Sequence, residues 1–472
     1  MLEGADTQLL GASMKALQDD PDLRLRLTDL AALGVSQLVF NNLAAPFWGI
    51  LADRGLLRRR TILIIGSMGQ GLVTMLLGFV SDMWSMVCLR ALNGVLLAAL
   101  RPISNGVIAD TTCEGRRGKI FGRVQSAYLL GMFITNMTVA PMATEMVLGF
   151  SGWRVAFVVV GLVSVAVSVF LLLNMEDLPC SVPEGRGETG VRAVMQEIRI
   201  LCGFFTIPTF SVMVLQGIFG TIPWSVFGYM TLFFQLSGLE NSHAAILASL
   251  IPIVGVVGNI IGGLVADLLA FRFLLHGRPL SAQFTVACGI PLVYMIFHGV
   301  PLGEGSFGVY FALNVSFGLL GSWAQAGTNF PILSHIVTAE SRSRVLAWEC
   351  ALENSIANAV GPTIVGLLAE KVFGYSFGTH DDDDTGRDIP SAQALGGAMA
   401  ATICIPWLVC FAAYTLLHWS YPRDIRLQEQ NQMDDKAGRA PKVIAAAASQ
   451  DGTADSRTAA SGVRSLGAQH TA

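Results

Sequence analysis

Apolar residues recur along this chain in stretches long enough to cross a lipid bilayer. A bilayer core about 30 Å thick requires about 20 helical residues, and hydrocarbon offers the backbone no hydrogen-bond partner outside the helix itself. The pattern therefore predicts eleven membrane-spanning helices, near residues 29–52, 61–81, 84–109, 120–147, 155–174, 209–235, 243–270, 281–301, 306–337, 344–373 and 394–418.

Basic residues follow every second span, and this alternation predicts the orientation of the chain. Lys and Arg concentrate in loops that face the cytosol. Arg154 and Arg387 are the main exceptions. We therefore place the basic loops and the C-terminus in the cytosol. The basic loop residues are Arg54, Arg58, Arg59, Arg60, Arg116, Arg117, Lys119, Arg123, Arg186, Arg192, Arg199, Arg272, Arg278, Arg342, Arg344, Arg423 and Arg426.

The N-terminal segment is moderately apolar but too short to cross. Residues 1–17 are followed by Asp19, Asp20 and Asp22, which the orientation places outside. We expect this segment to be the outer half of a twelfth helix whose inner half is missing, through truncation or because Met1 is an internal methionine. The alternative is an amphipathic helix on the membrane surface.

The chain divides into two similar halves. GILAD, at 49–53, ends the first span and GLVAD, at 263–267, ends the seventh, while Pro102 and Pro331 lie late in the third and ninth. The predicted fold is an all-α membrane protein of two six-helix bundles related by pseudo-symmetry, with a solute site between them near the midplane. The predicted units are an N-terminal bundle at 1–174, a cytosolic linker with an interfacial helix at 175–205, a C-terminal bundle at 206–419 and a disordered tail at 420–472.

Composition supports a membrane protein and excludes several functions. Apolar residues make up 53% of the chain and charged residues 14%, whereas soluble domains carry about 25% charged residues. A net charge of −4 gives no reason to expect a nucleic-acid partner. No phosphate loop, metal cluster or arranged nucleophile is recognisable, so we expect neither an enzyme nor a cofactor or metal.

The loop after the first span carries a specific motif. The run Gly49–Gly55 (GILADRG), followed by Arg58, resembles the signature loop of the major facilitator superfamily. This resemblance implies a transporter in which Asp53 and Arg54 form a cytosolic gate, with the glycine allowing close helix approach. The echo at Gly263 and Asp267 continues with two leucines, which predicts a weaker latch in that half.

Further segments narrow the resemblance. The run Arg90–Gly94 (RALNG) is similar to the Arg-x-x-x-Gly pattern of the superfamily's fourth helix. The segments 216–224, 331–337 and 342–353 resemble the spinster-like branch as it occurs in plants, algae and fungi. That branch implies lysophospholipid- or sphingolipid-like substrates. The chain lacks the Gly-Glu-Ala that follows this pattern in bacterial and animal spinsters and reads Glu3-Gly4 in place of their Asp-Arg, which weakens the inference of a spinster-type proton relay.

Two arginines lie within the third span, where charge is costly without a partner or a watery cavity. Arg90 and Arg101 are separated by about three helical turns and lie on roughly the same face. Facing a cavity, they would hold an anionic head group or a carboxylate, with Glu3 and Asp6 as natural partners. The alternative is that they pack against backbone carbonyls.

Two carboxylates and several polar residues mark the second half. Glu349 and Glu353 share one helix face, which favours a proton-coupling site; the alternative places Glu349 at the interface, paired with Arg344. If the partial N-terminal helix is counted as the first, the seventh and tenth helices carry polar or aromatic candidates for lining the cavity. Each is also explicable as packing; they are Gln216, Trp224, Gln325 and Asn329.

These features predict a multi-pass integral membrane protein that carries a small solute across a bilayer by alternating access. The driving force is a proton gradient or the solute's own gradient. The substrate is an amphiphile of the kind the branch implies or, alternatively, a small organic anion. A non-transporting membrane sensor of the same fold is the competing hypothesis. We expect a monomer.

Overall fold

Helices account for almost all of the residues that the structure describes. A computed structural model describes residues 1–53, 57–111, 114–175, 191–338, 341–376 and 388–436. The first lobe consists of α1 Leu2–Asp19, α2 Leu27–Asp53, α3 Arg59–Leu77, α4 Met83–Leu97, α5 Leu100–Thr111, α6 Glu114–Ala143 and α7 Gly152–Asn174, with an antiparallel pair of strands, β1 Met146–Val147 and β2 Phe150–Ser151, between α6 and α7.

The second lobe follows a separate helix, α8 Val191–Phe204, which lies in the predicted linker. Its α-helices are α9 Pro208–Val226, α10 Met230–Leu236, α11 Asn241–Arg272, α12 Gly277–Tyr294, α13 Phe307–Gly321, α14 Phe330–His335, α15 Arg342–Lys371 and α16 Ile389–Lys436. Short 3-10 turns lie at Phe227–Tyr229, Leu274–His276 and Glu304–Ser306, and π-helical turns at Met295–Gly299 and Gln325–Asn329.

The two lobes repeat one packing scheme. In the first lobe α1 packs on α6, α2 on α4 and α3 on α7; in the second, α9 packs on α15, α11 on α13 and α12 on α16. If α4–α5, α9–α10 and α13–α14 are each taken as one span, every pair in the second lobe lies six spans after its counterpart. The predicted all-α fold of two pseudo-symmetric bundles is confirmed.

Eight helical segments in the described part of the chain are long and apolar enough to cross a membrane. They cover eight of the eleven predicted spans. The other three, near 120–147, 306–337 and 344–373, are helical too: the second is divided into shorter helices, and all three contain buried polar side chains. Asn136, Asn314 and Glu349 are examples.

A proline accounts for the break within the third predicted span. A proline has no N–H to donate, and its ring clashes with the carbonyl four residues earlier. The third span is interrupted at residues 98–99, four residues before Pro102, and resumes as α5. The ninth span is interrupted at residues 322–323 and then forms a π-helical turn directly before Phe330 and Pro331.

The N-terminal helix α1 lies inside the first lobe, so the alternative of a helix on the membrane surface is wrong. Leu9 and Leu17 are fully buried, and α1 packs along α6. The backbones approach closely because glycines stand at the contacts: Gly4 faces the carbonyl of Tyr128, and Gly131 faces the carbonyl of Met1.

The last helix extends further than predicted. The predicted disordered tail begins at residue 420, but α16 continues to Lys436. Tyr421 and Ile425 are each 4% exposed, and the Asp424 carboxylate accepts the Thr209 N–H at 2.8 Å in the first turn of α9. These contacts stabilise the extension, which the polar composition concealed. Residues 437–472 lie outside the described part.

Hydrogen bonds join the two lobes at one end of the bundle. Near the end of α15, the Glu370 carboxylate accepts the Thr28 N–H at 2.9 Å and the Thr28 hydroxyl at 3.2 Å, in the first turn of α2. The Tyr375 hydroxyl donates to Gln18 at 2.9 Å. Glu370 and Tyr375 also line a cavity of about 590 Å³ at this end.

A second group of hydrogen bonds joins the lobes at the same end. Asn136 of α6, 1% exposed, donates to the Ala245 carbonyl and to the Ser249 hydroxyl of α11, each at 3.0 Å. Asn241 donates to the Thr144 hydroxyl at 3.0 Å. This end lies opposite the basic loops, so the bundle is closed on the side that the sequence analysis places outside.

Candidate functional site

A buried polar network surrounds Asp6 in the first lobe. The Asp6 carboxylate is fully buried and accepts hydrogen bonds from Gln37 Nε2 at 2.6 Å, Thr74 Oγ1 at 2.7 Å and Asn93 Nδ2 at 3.4 Å. Gln37 Nε2 also lies 2.6 Å from Asn93 Oδ1. Sequence reasoning selected Asp6 but missed its three partners, although Asn93 lies within the Arg90–Gly94 motif.

Arg90 is enclosed within the first lobe and does not line an open cavity. Its side chain is 2% exposed, and Nε and Nη1 have no hydrogen-bond partner among the described residues. It lies close enough to Asp6 for electrostatic interaction. These two nitrogens are therefore not tied to backbone carbonyls, as the packing alternative required. The burial also makes Arg90 a poor contact for a solute.

Arg101 occupies a different environment. It forms an ion pair with Glu3 at 2.9 Å, as predicted, and its side chain is 54% exposed. The guanidinium lies 4.8 Å from the centre of the Tyr128 ring, a favourable cation–π distance. The helix break at residues 98–99 separates Arg101 from Arg90. Of the two arginines, Arg101 is the accessible one.

A pair of buried carboxylates lies on α15 in the second lobe. Glu349 is fully buried and Glu353 is 3% exposed. Their carboxylates and the Cys350 thiol offer atoms within 4.8 Å of one another. Both Glu349 oxygens and Glu353 Oε2 have no hydrogen-bond partner among the described residues. The pairing of Glu349 with Arg344 is wrong, because Arg344 lies instead 4.0 Å from Glu197 of α8.

A chain of polar side chains leads from Glu353 into the lobe. Gln325 Nε2 donates to Glu353 Oε1 at 3.3 Å, and Asn329 Nδ2 donates to Gln325 Oε1 at 3.3 Å. The Tyr414 hydroxyl of α16 donates to Asn329 Oδ1 at 2.9 Å. Gln325 and Asn329 are the two ends of a π-helical turn, a feature frequently found at functional sites. The structure thus brings three predicted residues together and adds Tyr414.

The residues predicted on the span near 209–235 are placed differently. Gln216 is 1% exposed, donates to the Met213 carbonyl at 2.9 Å and accepts from the Cys410 thiol at 3.8 Å. Its neighbour Gly217 does face the pair: a Cβ atom there would lie 2.5 Å from Glu353 Oε2. Trp224 is 39% exposed and packs edge-on against Phe227.

The echo of the gating motif anchors the π-helical turn. Pro331 cannot donate a hydrogen bond to the carbonyl four residues earlier, which is that of Gly327. Arg278 Nη1 donates to that carbonyl at 2.8 Å, and Arg278 Nη2 pairs with Asp267 at 2.7 Å. A Cβ at Gly327 would lie 3.0 Å from that of Ala266 in α11. The motif is therefore connected to the turn that carries Gln325 and Asn329.

The glycines of the gating motif do not act as predicted in this conformation. A Cβ atom added at Gly49 or at Gly263 would meet nothing within 4 Å, because the lobes are joined at the opposite end. Gly262 is the tightly packed glycine, against the ring of Trp323. Arg54 and the side chain of Asp53 lie outside the described part, and Arg58 has contacts of its own. Asp267 is 68% exposed.

Two clusters in the described residues are able to hold a cation. One is the Glu349–Cys350–Glu353 group, and the other consists of Glu240, His243 and Glu304 near the start of α11. In the second cluster Glu304 accepts the Glu240 N–H at 2.9 Å and contacts the His243 ring. This carboxylate at the N-terminus of α11 is explained by helix capping and by its contact with the imidazole.

Comparison with known proteins identifies the family. The model described as Major Facilitator Superfamily matches residues 1–362. Multidrug resistance protein MdtG of Proteus mirabilis (strain HI4320) is 25% identical over 342 residues, 71% of this chain and 78% of that protein. A solved bacterial homologue of the human lysosomal transporter Spinster, inward-facing and unoccupied, has a TM-score of 0.72 at 19% identity over 90% of this chain and 95% of that chain. A D-xylose–proton symporter has a TM-score of 0.61 at 16% identity over 86% and 94%. The TM-scores show that the two solved structures share the fold of this chain, and at these sequence identities they show nothing beyond the fold.

Proposed function

This chain belongs to the major facilitator superfamily, and from that premise we propose that it is a proton-coupled transporter of an amphiphilic solute, with the Glu349–Glu353 pair as the proton site. Membership of the superfamily makes the chain a multi-pass integral membrane protein and a secondary transporter, not an enzyme. The coupling ion, the substrate class and the roles of individual residues are the proposal.

The observation that carries the proposal is the absence of a cationic partner near the carboxylate pair in the described residues. Two ionised carboxylates in contact repel each other, and burying them without compensation is expensive. A proton on one carboxylate removes a charge and supplies a hydrogen-bond donor to unpartnered oxygens of Glu349 or Glu353. The pair therefore accommodates one proton at low cost while it is enclosed, and releases it once water reaches it.

The position of the pair on α15 relates protonation to opening. The same helix carries Glu370, which holds the lobes together through Thr28. Glu353 is also bonded to Gln325, whose π-helical turn Arg278 ties to Asp267. Loss of the proton adds a negative charge on α15, and the two carboxylates then repel each other. This repulsion favours a conformation in which the pair is hydrated. This arrangement supports a cycle of alternating access that carries one proton.

The substrate class rests on the first lobe and on relatives. Arg101, half exposed and balanced by Glu3, offers one accessible cation for an anionic or zwitterionic head group. Buried Arg90 offers no second one, which disfavours a small anion held between both arginines. An amphiphile agrees with the spinster-like resemblance and with a relative named for multidrug resistance. The alternatives remain a small organic anion bound by Arg101 alone and a non-transporting sensor.

Uptake into proteoliposomes tests the proposal. Purified protein is reconstituted, and a fluorescent lysophospholipid or radiolabelled succinate is supplied with and without an imposed pH gradient. We expect gradient-driven accumulation of the lysophospholipid by the wild type. Glu353→Gln, a permanently neutral mimic, should lose accumulation but retain exchange of solute across the membrane, because exchange requires no net proton movement.

Controls separate the parts of the proposal. Glu304→Gln removes a carboxylate that contacts Glu240 and His243 instead of the pair, and it should behave as wild type. Proton coupling at this pair would be refuted if accumulation were the same with and without the pH gradient. It would also be refuted if both Glu349→Gln and Glu353→Gln accumulated solute as the wild type does. Succinate uptake without lysophospholipid uptake would favour the organic-anion alternative. Solute binding without movement of either probe would favour the sensor.

A further inference from the structure

A cavity of about 430 Å³ opens at the basic end of the second lobe, away from the carboxylate pair. This volume falls within the range of about 300–1,000 Å³ typical of small-molecule sites. It lies between the C-terminal part of α11, the start of α12, α14 and α16. Its lining includes Leu274, Arg278, Ser334, His335, Arg342 and Tyr421.

One wall of this cavity is cationic and rich in hydrogen-bond donors. Arg342 is held in place by a hydrogen bond from Nε to the Ser334 carbonyl at 3.0 Å, which leaves its two terminal nitrogens for a ligand. Arg278 presents a second guanidinium, fixed by Asp267. His335 is oriented by its ring contact with the Tyr421 hydroxyl at 2.7 Å. Two pre-positioned guanidinium groups suit a phosphate group, which they bind through charge-assisted hydrogen bonds.

The other wall is apolar and continues onto the outer surface. Leu274 is 81% exposed, Phe271 is 89% exposed and Phe273 is 50% exposed. Phe271 lies in the last turn of α11, and Phe273 and Leu274 follow its end, beside the cavity that Leu274 itself lines. Large apolar side chains this exposed at the end of a membrane helix are covered by lipid chains. A ligand that spans both walls carries a phosphate at one end and hydrocarbon at the other.

We propose that this cavity binds the head group of an anionic phospholipid of the surrounding membrane. Basic pockets between helices on the cytoplasmic side of membrane proteins bind such head groups. The charges match: the lining residues include two arginines and no carboxylate, and Asp267 engages only Arg278. A soluble phosphate compound would satisfy the arginines but would leave the exposed Phe271–Leu274 surface uncovered.

Occupancy of this site would act on the transport machinery through Arg278. That side chain divides its donors between Asp267 and the Gly327 carbonyl in the π-helical turn next to Glu353. A phosphate close to Arg278 competes with Asp267 for the guanidinium. The lipid would therefore alter the anchoring of the turn without entering the solute pathway.

Native mass spectrometry of purified full-length protein tests the assignment. The protein in mild detergent is titrated with dioleoyl phosphatidylglycerol or with dioleoyl phosphatidylcholine. We expect one phosphatidylglycerol adduct that persists under activation that removes phosphatidylcholine. Arg342→Gln should weaken that adduct about tenfold, since it removes a charge-assisted contact, and Arg342→Lys should recover part of the affinity.

A matched control is Arg199→Gln, which removes an exposed arginine of α8 outside the cavity. It should bind phosphatidylglycerol as the wild type does. Equal binding by Arg342→Gln and wild type, or equal loss in Arg199→Gln, would overturn the proposal, because either result indicates diffuse electrostatic attraction. Glycerol 3-phosphate that protects the wild type against thermal unfolding as well as the lipid does would overturn the choice of a lipid.

Discussion

Glu370 offers the sharpest test of how the closed end is held. Its carboxylate receives the Thr28 N–H and hydroxyl across the lobe boundary. A hydrogen bond to a charged group contributes about 1.5–3 kcal/mol, and an N-terminal cap about 1 kcal/mol. In Glu370→Gln the neutral amide keeps one acceptor oxygen. We therefore expect a loss of about 1–2 kcal/mol, which shifts the balance between closed and open conformations about 5–30-fold.

Distances between spin labels measure this shift. Leu148, 90% exposed in the first lobe, and Gly305, exposed in the second, are replaced by cysteine for labelling, after all other cysteines that react with the label, among them the exposed Cys88 and Cys202, are replaced by serine. Both labels lie at the closed end. Glu370→Gln should enlarge the population with the longer distance.

The control and the refuting result are specific. Asp29→Asn alters a carboxylate that accepts the Arg26 N–H at 2.9 Å within the same lobe, one residue from Thr28. It should leave the distances unchanged. If Glu370→Gln gives the wild-type distribution, or if Asp29→Asn shifts it equally, the hydrogen bonds across the boundary do not hold the lobes together.

Three further predictions follow from local contacts. Gly217→Ala places a methyl group 2.5 Å from the Glu353 carboxylate and should reduce gradient-driven uptake at least about tenfold, an effect of about 1.4 kcal/mol; Gly308→Ala, with open space around it, should transport normally. Asp424→Ala removes the cap on the first turn of α9 and should lower the free energy of unfolding by about 1 kcal/mol, measured by denaturation in mixed micelles; an unchanged value would contradict the cap. The hydrogen bond from the Ser85 N–H lowers the pKa of Asp82, so this cap stabilises α4 above the carboxyl's unfolded-state pKa and loses its effect as the pH falls through the lowered one. Hydrogen-exchange protection of the first turn of α4 should fall with acidification in the wild type and show no such step in Asp82→Ala.

The sequence predicts the fold well because hydrocarbon restricts what a chain can form. The lengths of the apolar stretches predicted the spans. The similarity of residues 49–53 to residues 263–267 predicted the duplication, which is seen in the packing of both lobes. The predicted ends of helices are wrong where tertiary contacts, and not the local composition, determine where the helix ends. The extension of α16 past residue 420 depends on Asp424 meeting α9, a contact no local pattern reveals.

The site is less predictable, because its partners come from separate helices. Glu349 and Glu353 are visible as a spaced pair, and Glu3 was correctly matched to Arg101. Tyr414 and Gly217 were missed, because a tyrosine and a glycine in apolar spans are ordinary until a carboxylate is placed beside them. The close approach expected at Gly49 and Gly263 is not observed, because the lobes are joined at the opposite end of the bundle.

The pairing of Pro331 with Arg278 has an evolutionary consequence. The proline leaves the Gly327 carbonyl without its helical donor, and the arginine, more than fifty positions earlier in the sequence, provides the replacement. Without Arg278, Pro331 would leave this carbonyl without a donor, and without Pro331 the carbonyl would not need Arg278, so the two residues should be inherited together. Relatives that lack proline at position 331 have a helical donor for this carbonyl and do not need an arginine at position 278 to supply one. Substitutions at the two positions should therefore be correlated.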